Sequence, residues 1–346
     1  MNFIFISLFI SIFIVYLLFQ ISKKIPNILE YPSNTVRKIH SNNMINIGGV
    51  TFISFYFIFI GVENIQIRLI AVFSMFFLIL GLIADLNKAF SANFRLILMI
   101  LASIFYMMLS SNYITYISDW YYFSGILSLS PIFSIIFTLL CILVATNAFN
   151  IIDGQHGLML GTSIITILCF KANIAHHNPD LELTLNSLLA VTASLFIFNY
   201  IGGKIKSGDC GSYFLGFTIA ALAIYINNLD YINSFYIACI LFYPTFELFF
   251  TYVRRIINNK NPFKPDNYHL HSSLFKALRL KFDEKKTSNE IINRATAFLI
   301  LSTQSIIQIL IYFYANSKMY IFIFFSLSLV YLTAYYFVQK LSKAKN

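Results

Sequence analysis

The chain has 346 residues, 58% of them hydrophobic and only 11% charged, with a mean hydropathy of +0.75. A water-soluble domain has no use for that much apolar surface, so the composition points to a lipid bilayer. The net charge of +10 is spread over many loops without a recognisable binding motif, which gives no support to a nucleic-acid partner.

A helix that crosses a bilayer needs about 20 mostly apolar residues. Eleven such runs read out along the chain, at 2–21, 47–62, 67–84, 95–110, 131–149, 157–170, 183–201, 211–226, 233–253, 295–314 and 318–338. Backbone groups in lipid must be satisfied within the segment. The expected fold is therefore an all-α integral membrane protein, a polytopic bundle of about 10–11 transmembrane helices forming one domain over 1–346.

The first run has no Lys or Arg before it and Lys23 and Lys24 after it, the reverse of a cleaved signal peptide. It reads as a retained anchor with its N-terminus outside. With that start, the loops placed inside hold 21 of the 24 Lys and Arg, ten of them in a basic cytoplasmic loop at 254–294. Only Arg68, Lys171 and Lys318 fall outside, as the positive-inside bias requires. The four cysteines show neither a disulfide framework nor zinc-ligand spacing.

The inside loops carry the polar chemistry. The first reads PSNTVRKIHSNNMINIGG (32–49), with the bases Arg37 and Lys38 ahead of two glycines that open the next run. The second, ADLNKAFSANFRL (84–96), holds Asp85 and Arg95. The third is NAFNIIDGQHGLMLG (147–161). Its Asn147, Asn150 and Asp153 recur every three residues, so they share one sector of a helix. A helix C-terminus with unpaired carbonyls, a carboxylate and amide oxygens suits a hard cation such as Mg²⁺. His156 follows at the same seam. Ionisable groups at membrane depth default to function, although an Asn and an Asp can also merely cap a helix end.

The fourth segment, GGKIKSGDCGSYFLG (202–216), places Lys204 and Asp209 among four glycines just before a span. Free amides at that helix N-terminus favour phosphate. The fifth, RRIINNKNPFKPDNYHLHSSLF (254–275), holds His269 and His271 two residues apart, with too few neighbouring ligands for zinc. Five polar segments on one membrane face, with a cation site and a phosphate cradle, suggest phosphoryl transfer involving a lipid. A transporter whose polar residues line a path, or a binding scaffold without turnover, are the other classes that fit.

The ordered set RKIHSNNMINIGG, GLIADLNKAFSANFR, NAFNIIDGQHGL, GDCGSYFLG, PTFE…RR and PDNYHLHSSL resembles the polyprenyl-phosphate N-acetylhexosamine-1-phosphate transferase superfamily. That superfamily includes the UDP-GlcNAc:undecaprenyl-phosphate transferase and the phospho-MurNAc-pentapeptide translocase. The resemblance runs from residue 37 to 274. It implies transfer of a sugar-1-phosphate, GlcNAc by default, from a UDP-N-acetylhexosamine to undecaprenyl phosphate with release of UMP. The setting would be the cytoplasmic face of the bacterial cytoplasmic (inner) membrane, in the first step of a surface polysaccharide or cell-wall glycan. It further implies Mg²⁺ or Mn²⁺ held by Asn150 and Asp209 and a place for Asp85 at the lipid phosphate; Asp153 and His156, expected to line the uridine or metal shell, are the other candidate catalytic residues. Arg37, Lys38, Arg95, Asn147, Lys204, His269 and His271 would contact substrate, and relatives are often homodimers.

The sequence departs from the pattern at Ala84, where the first Asp of a DD pair usually stands, at His156 for Asp, at Ser272 for His and at Glu247 for Asp. Losing the first carboxylate is survivable. A phosphate monoester has a second pKa of about 6, so the acceptor is already largely dianionic at neutral pH.

Overall fold

The computed structural model describes residues 2–25, 28–30, 44–87, 89–174, 178–262, 266–282 and 287–343. Arg37, Lys38 and Lys88 lie outside the described residues. The helices in chain order are α1 (Asn2–Ser22), α2 (Ile65–Leu86), α3 (Ala92–Ser110), α4 (Tyr121–Leu129), α5 (Pro131–Ile152), α6 (Leu158–Ile174) and α7 (Pro179–Phe196). They continue with α8 (Gly208–Asn228), α9 (Ser234–Ile240), α10 (Phe242–Ile257), α11 (Leu270–Lys281), α12 (Asn289–Tyr314) and α13 (Ser317–Lys343). A 3-10 helix (Gly48–Ile60) precedes α2, and a short π-helical stretch (Ile197–Ile201) prolongs α7.

All eleven apolar runs are helical, but they are not equivalent. Among the described residues, eight helices are long and apolar enough to cross a membrane, and nine if α9 and α10, bent by 77° at Leu241, count as one span. The other two runs are α6, an apolar helix of 17 residues, and the 3-10 helix of 13. The latter reaches further than its residue count suggests. At about 2.0 Å per residue a 3-10 helix is a third longer than an α-helix of the same sequence length. Its hydroxyls follow the tighter period: Thr51 Oγ1 donates to the Gly48 carbonyl at 2.9 Å and Ser54 Oγ to that of Thr51 at 2.7 Å.

The bundle is built around α8, which is buried along almost its whole length. An apolar helix with no polar face belongs in the middle of a protein. Around it pack α2, α5, α6, α9 and the 3-10 helix. Phe52 stacks on Phe214 and Phe77 on Phe217, with ring centroids 4.6 and 4.3 Å apart. By contrast α1, α12 and α13 turn Phe5, Phe9, Phe313, Phe322 and Phe337 outward, as lipid-facing helices do.

The segments that begin the 3-10 helix and α8 are zipped together before either helix starts. Leu29–Glu30 and Met44–Ile45 form a two-residue antiparallel pair (β1 and β2), and Ile45 bridges in parallel to Ile205. The amide of Ile45 donates to the Lys204 carbonyl, that of Lys206 to Ile45, that of Gly48 to Lys206 and that of Gly49 to Ser207, all within 3.0 Å. A Cβ on Gly49 would fall on the backbone of Gly211, so glycine is what lets the two helix starts touch.

Candidate functional site

Asp209 is the hub, in the first turn of α8. Its Oδ1 accepts from Asn150 Nδ2 at 2.8 Å, and its Oδ2 lies 2.5 Å from Arg95 Nη1. Asn150 comes from the last turn of α5 and also donates to Ser212 Oγ at 2.8 Å. Arg95 comes from the first turn of α3 and also donates to Tyr213 OH at 3.0 Å. Three residues singled out from distant segments thus meet around one carboxylate.

Asp85, at the end of α2, completes the group. Its Oδ1 accepts the amide N–H of Asp209 and its Oδ2 that of Cys210, both at 3.0 Å. The carboxylate therefore caps α8, and two amides expected to be free for phosphate are spent on Asp85 instead. This corrects the picture of an open phosphate cradle at that helix end. The cap requires the chain to turn sharply at Gly208, which has φ +71 and lies against Asp85 and the Asn46 carbonyl. Asn46 joins from the β2 side: its Nδ2 donates to Asp85 Oδ1 at 3.2 Å, while its buried Oδ1 has no partner among the described residues. Asn46 was not among the expected site residues, although it sits two residues before the Gly-Gly pair of the first polar segment.

The turn after α5 forms a second layer. Asp153 is the C-cap residue, and Gly157 takes φ +76. Asn147 donates its side-chain amide back to the Leu143 carbonyl of its own helix at 2.8 Å, so it is not drawn into the group around Asp209. His156 is buried, and its amide N–H donates to Asn293 Oδ1 of α12 at 2.7 Å. Next to it Gln155 is buried, with neither amide atom partnered among the described residues. Asn293 and Gln155 gave no signal beyond polarity in the sequence. Lys204 is exposed, and its backbone carbonyl is used by Ile45.

His271 reaches this turn from α11, and His269 stands just before that helix as its N-cap residue. His271 is buried, and its Nε2 lies only 2.8 Å from where a Cβ on Gly154 would stand. Burial, helped by the neighbouring His269, pulls the His271 imidazole down to about 3, so the ring is neutral. The ring of His269 stacks on it at 5.4 Å and 8°. Just ahead of them a basic pocket is lined by Arg254, Arg255, Asn258, Lys260, Asp266, Asn267 and Tyr268. Burial alone would raise the Asp266 carboxyl, but its ion pair with Arg254 holds it below the usual range.

Among the described residues no three His, Cys, Asp or Glu side chains gather as metal ligands. The donors at Asp209 are one carboxylate and the Asn150 amide, which presents its oxygen once turned about its last bond; the N and O positions of an amide are an assignment. A soft or tetrahedral metal does not suit this set. A hard cation that keeps waters and takes phosphate oxygens needs only one or two carboxylates, so the set fits Mg²⁺ or Mn²⁺.

A sequence profile described as glycosyl transferase family 4 matches residues 67–227, the stretch that contains Asp85, Arg95, Asn150 and Asp209. The chain is 34% identical over 141 residues to a probable undecaprenyl-phosphate N-acetylglucosaminyl 1-phosphate transferase of Bacillus subtilis, covering 40% of this chain and 39% of that protein. It is 31% identical over 127 residues to the undecaprenyl-phosphate alpha-N-acetylglucosaminyl 1-phosphate transferase of Thermotoga maritima, covering 36% and 38%. A phospho-N-acetylmuramoyl-pentapeptide-transferase of Dictyoglomus thermophilum matches more of the chain at lower identity, 27% over 243 residues, covering 68% and 76%. The matched stretch thus spans about two fifths of the length of the first two relatives.

Proposed function

We propose that this chain, whose residues 67–227 match the glycosyl transferase family 4 profile, transfers an N-acetylhexosamine-1-phosphate from a UDP-sugar to undecaprenyl phosphate and releases UMP. GlcNAc is the first sugar to test, since the Bacillus and Thermotoga relatives are named for it. A phosphate oxygen of the acceptor attacks the sugar-linked phosphorus, and the bond to the bridging oxygen breaks, which leaves with UMP. The observation that carries the reading is the meeting of Asn150, Arg95 and Asp85 on Asp209.

Positioning and charge neutralisation dominate this chemistry. Asn150 and Asp209 would hold Mg²⁺, which when bound supplies a Lewis acid for the diphosphate. Arg95, held beside Asp209 and Tyr213, offsets negative charge on the phosphates. Asp85 keeps the start of α8, and with it Asp209, fixed during the reaction. His269 and His271 bring the 254–294 segment to the turn at Gly154, where the donor would lie. The acceptor's dianionic phosphate needs no strong base, which suits Ala84 in place of a carboxylate.

The test is mass spectrometry of the lipid product, with UMP release, from purified protein given undecaprenyl phosphate and a panel of UDP-N-acetylhexosamines. A sugar-phosphate-loaded lipid is expected with at least one donor. EDTA should abolish product and Mg²⁺ restore it, and Asp209→Ala should lower turnover by a hundredfold or more, about 3 kcal/mol of transition-state stabilisation. Asp209→Ala with normal turnover would refute the assignment.

A further inference from the structure

We propose that Glu247 is a positioning residue that fixes His269 as its Nδ1–H tautomer, so that Nε2 is the atom offered to the diphosphate of the donor. This rests on the function proposed above. Glu247, in α10, is wholly buried, yet its carboxylate serves three neighbouring elements. Its Oε1 lies 3.1 Å from His269 Nδ1. Both oxygens accept the amide N–H of Leu270, the first residue of α11, at 3.2 and 3.3 Å. The hydroxyl of Tyr331, from α13, donates to Oε2 at 2.6 Å.

An ionised carboxylate only accepts, so the nitrogen facing it must carry a proton. That settles which ring nitrogen is spent. Thr251 Oγ1, one turn along α10, sits 3.2 Å from the same nitrogen and crowds it further. Nε2, on the opposite side of the ring, is left for a ligand. Among the described residues no Lys or Arg pairs with Glu247, and a buried carboxylate without a cationic partner is costly. The groups around His269 are Glu247 and Thr251 on α10, His271 on α11, Tyr331 on α13 and, in the preceding loop, Asp266 with its partner Arg254. His271 is stacked and buried, so it does not take the proton. A proton arriving with an anionic ligand therefore goes to Nε2 of His269, which then donates to phosphate while Glu247 balances the ring's charge.

Ring ¹⁵N signals of histidine-labelled protein, assigned with His269→Gln, test the pairing with UDP as the only ligand. In the wild type, neutral His269 should be the Nδ1–H tautomer, and UDP should raise its protonated fraction. In Glu247→Gln the neutral ring should lose its strong preference for the Nδ1–H tautomer, and the response to UDP should shrink. Glu247→Asp should restore both. In the transfer assay Glu247→Gln should raise the KM for the UDP-sugar about tenfold, with kcat within threefold. The double variant with His269→Gln should be no worse than His269→Gln alone. Ring signals unchanged in Glu247→Gln, or effects of the two substitutions that multiply, would overturn the proposal. Turnover by the wild type tests the function separately, because the ring signals with UDP decide the role of Glu247 whether or not product forms.

Discussion

Asp85 shows how one side chain can be structural and functional at once. Its two oxygens are the acceptors for the amides of Asp209 and Cys210. Asp85→Ala leaves two partly buried donors without partners, which costs about 1–3 kcal/mol. Thermal unfolding in detergent should show a lowered midpoint, with activity lost more steeply because Asp209 loses its anchor. Asp85→Asn retains one acceptor and should fall between; an Ala variant as stable as the wild type would remove the cap from the argument. His271 is a second residue whose environment sets a measurable property. Burial first, and His269 second, lower its folded pKa to about 3 from the usual 6.5. Between those values the unfolded chain binds the proton and the folded one does not. The stability it contributes is complete above pH 6.5 and drains away as pH falls toward 3. At pH 5 the loss is about 2 kcal/mol relative to pH 7.5. The drop in unfolding midpoint between these two pH values should shrink in His271→Gln.

At the scale of elements, the junction between the 3-10 helix, α2 and α8 decides whether the site exists. Gly49 meets Gly211 backbone to backbone, and no side chain stands between them to give way. Gly49→Ala must therefore push α8 aside, costing about 1–3 kcal/mol or more of overpacking, and should disable the site along with it. Gly125, in α4, is the control: a Cβ there meets nothing within 4 Å. Gly125→Ala should be neutral or stabilise by about 0.5–1 kcal/mol, and melting curves of the two variants should separate clearly. This junction also marks what could be read in advance. Apolar runs report that a segment lies in lipid, so all eleven helical stretches were legible. The same runs do not report the helix type, because residues 48–60 are as apolar as any α-helical span and only the hydrogen-bond period distinguishes them. Nor did the glycines of GGKIKSGD show whether the α8 amides would face a ligand or a carboxylate, since that depends on where the end of α2 lands.

At the scale of the whole molecule, the contacts sort into two ends of the bundle. At one end Gly48 meets Lys206, Asp85 and Asn150 meet Asp209, and Tyr335 of α13 donates to the Tyr268 carbonyl beside His269. At the other, the Glu63 and Asn64 amides meet Asp180, Asn64 meets Tyr225, Asn228 meets Asn112 and Ser234 meets Ser118. The 3-10 helix runs between these ends alongside α8, from Gly49 near Gly211 to Asn64 near Tyr225, so it covers the depth that longer helices cover. Convergence of the polar segments at one end was readable from their placement in alternate loops, which is a property of the chain. Their pairing was not, because Asn46 finding Asp85, or Glu247 finding His269, depends on side chains 39 and 22 residues apart in sequence. The side of the membrane is a further matter, set by the basic residues. Since Lys260 shares the end that carries the site and Asp230 lies at the far end, single cysteines at these two positions in a cysteine-free background should label oppositely. A membrane-impermeant maleimide applied to intact cells should modify the cysteine at 230, and reach that at 260 only after permeabilisation. The reverse pattern would put Asp209 outside, away from nucleotide-sugars made in the cytoplasm, and the transfer reaction would lose its donor.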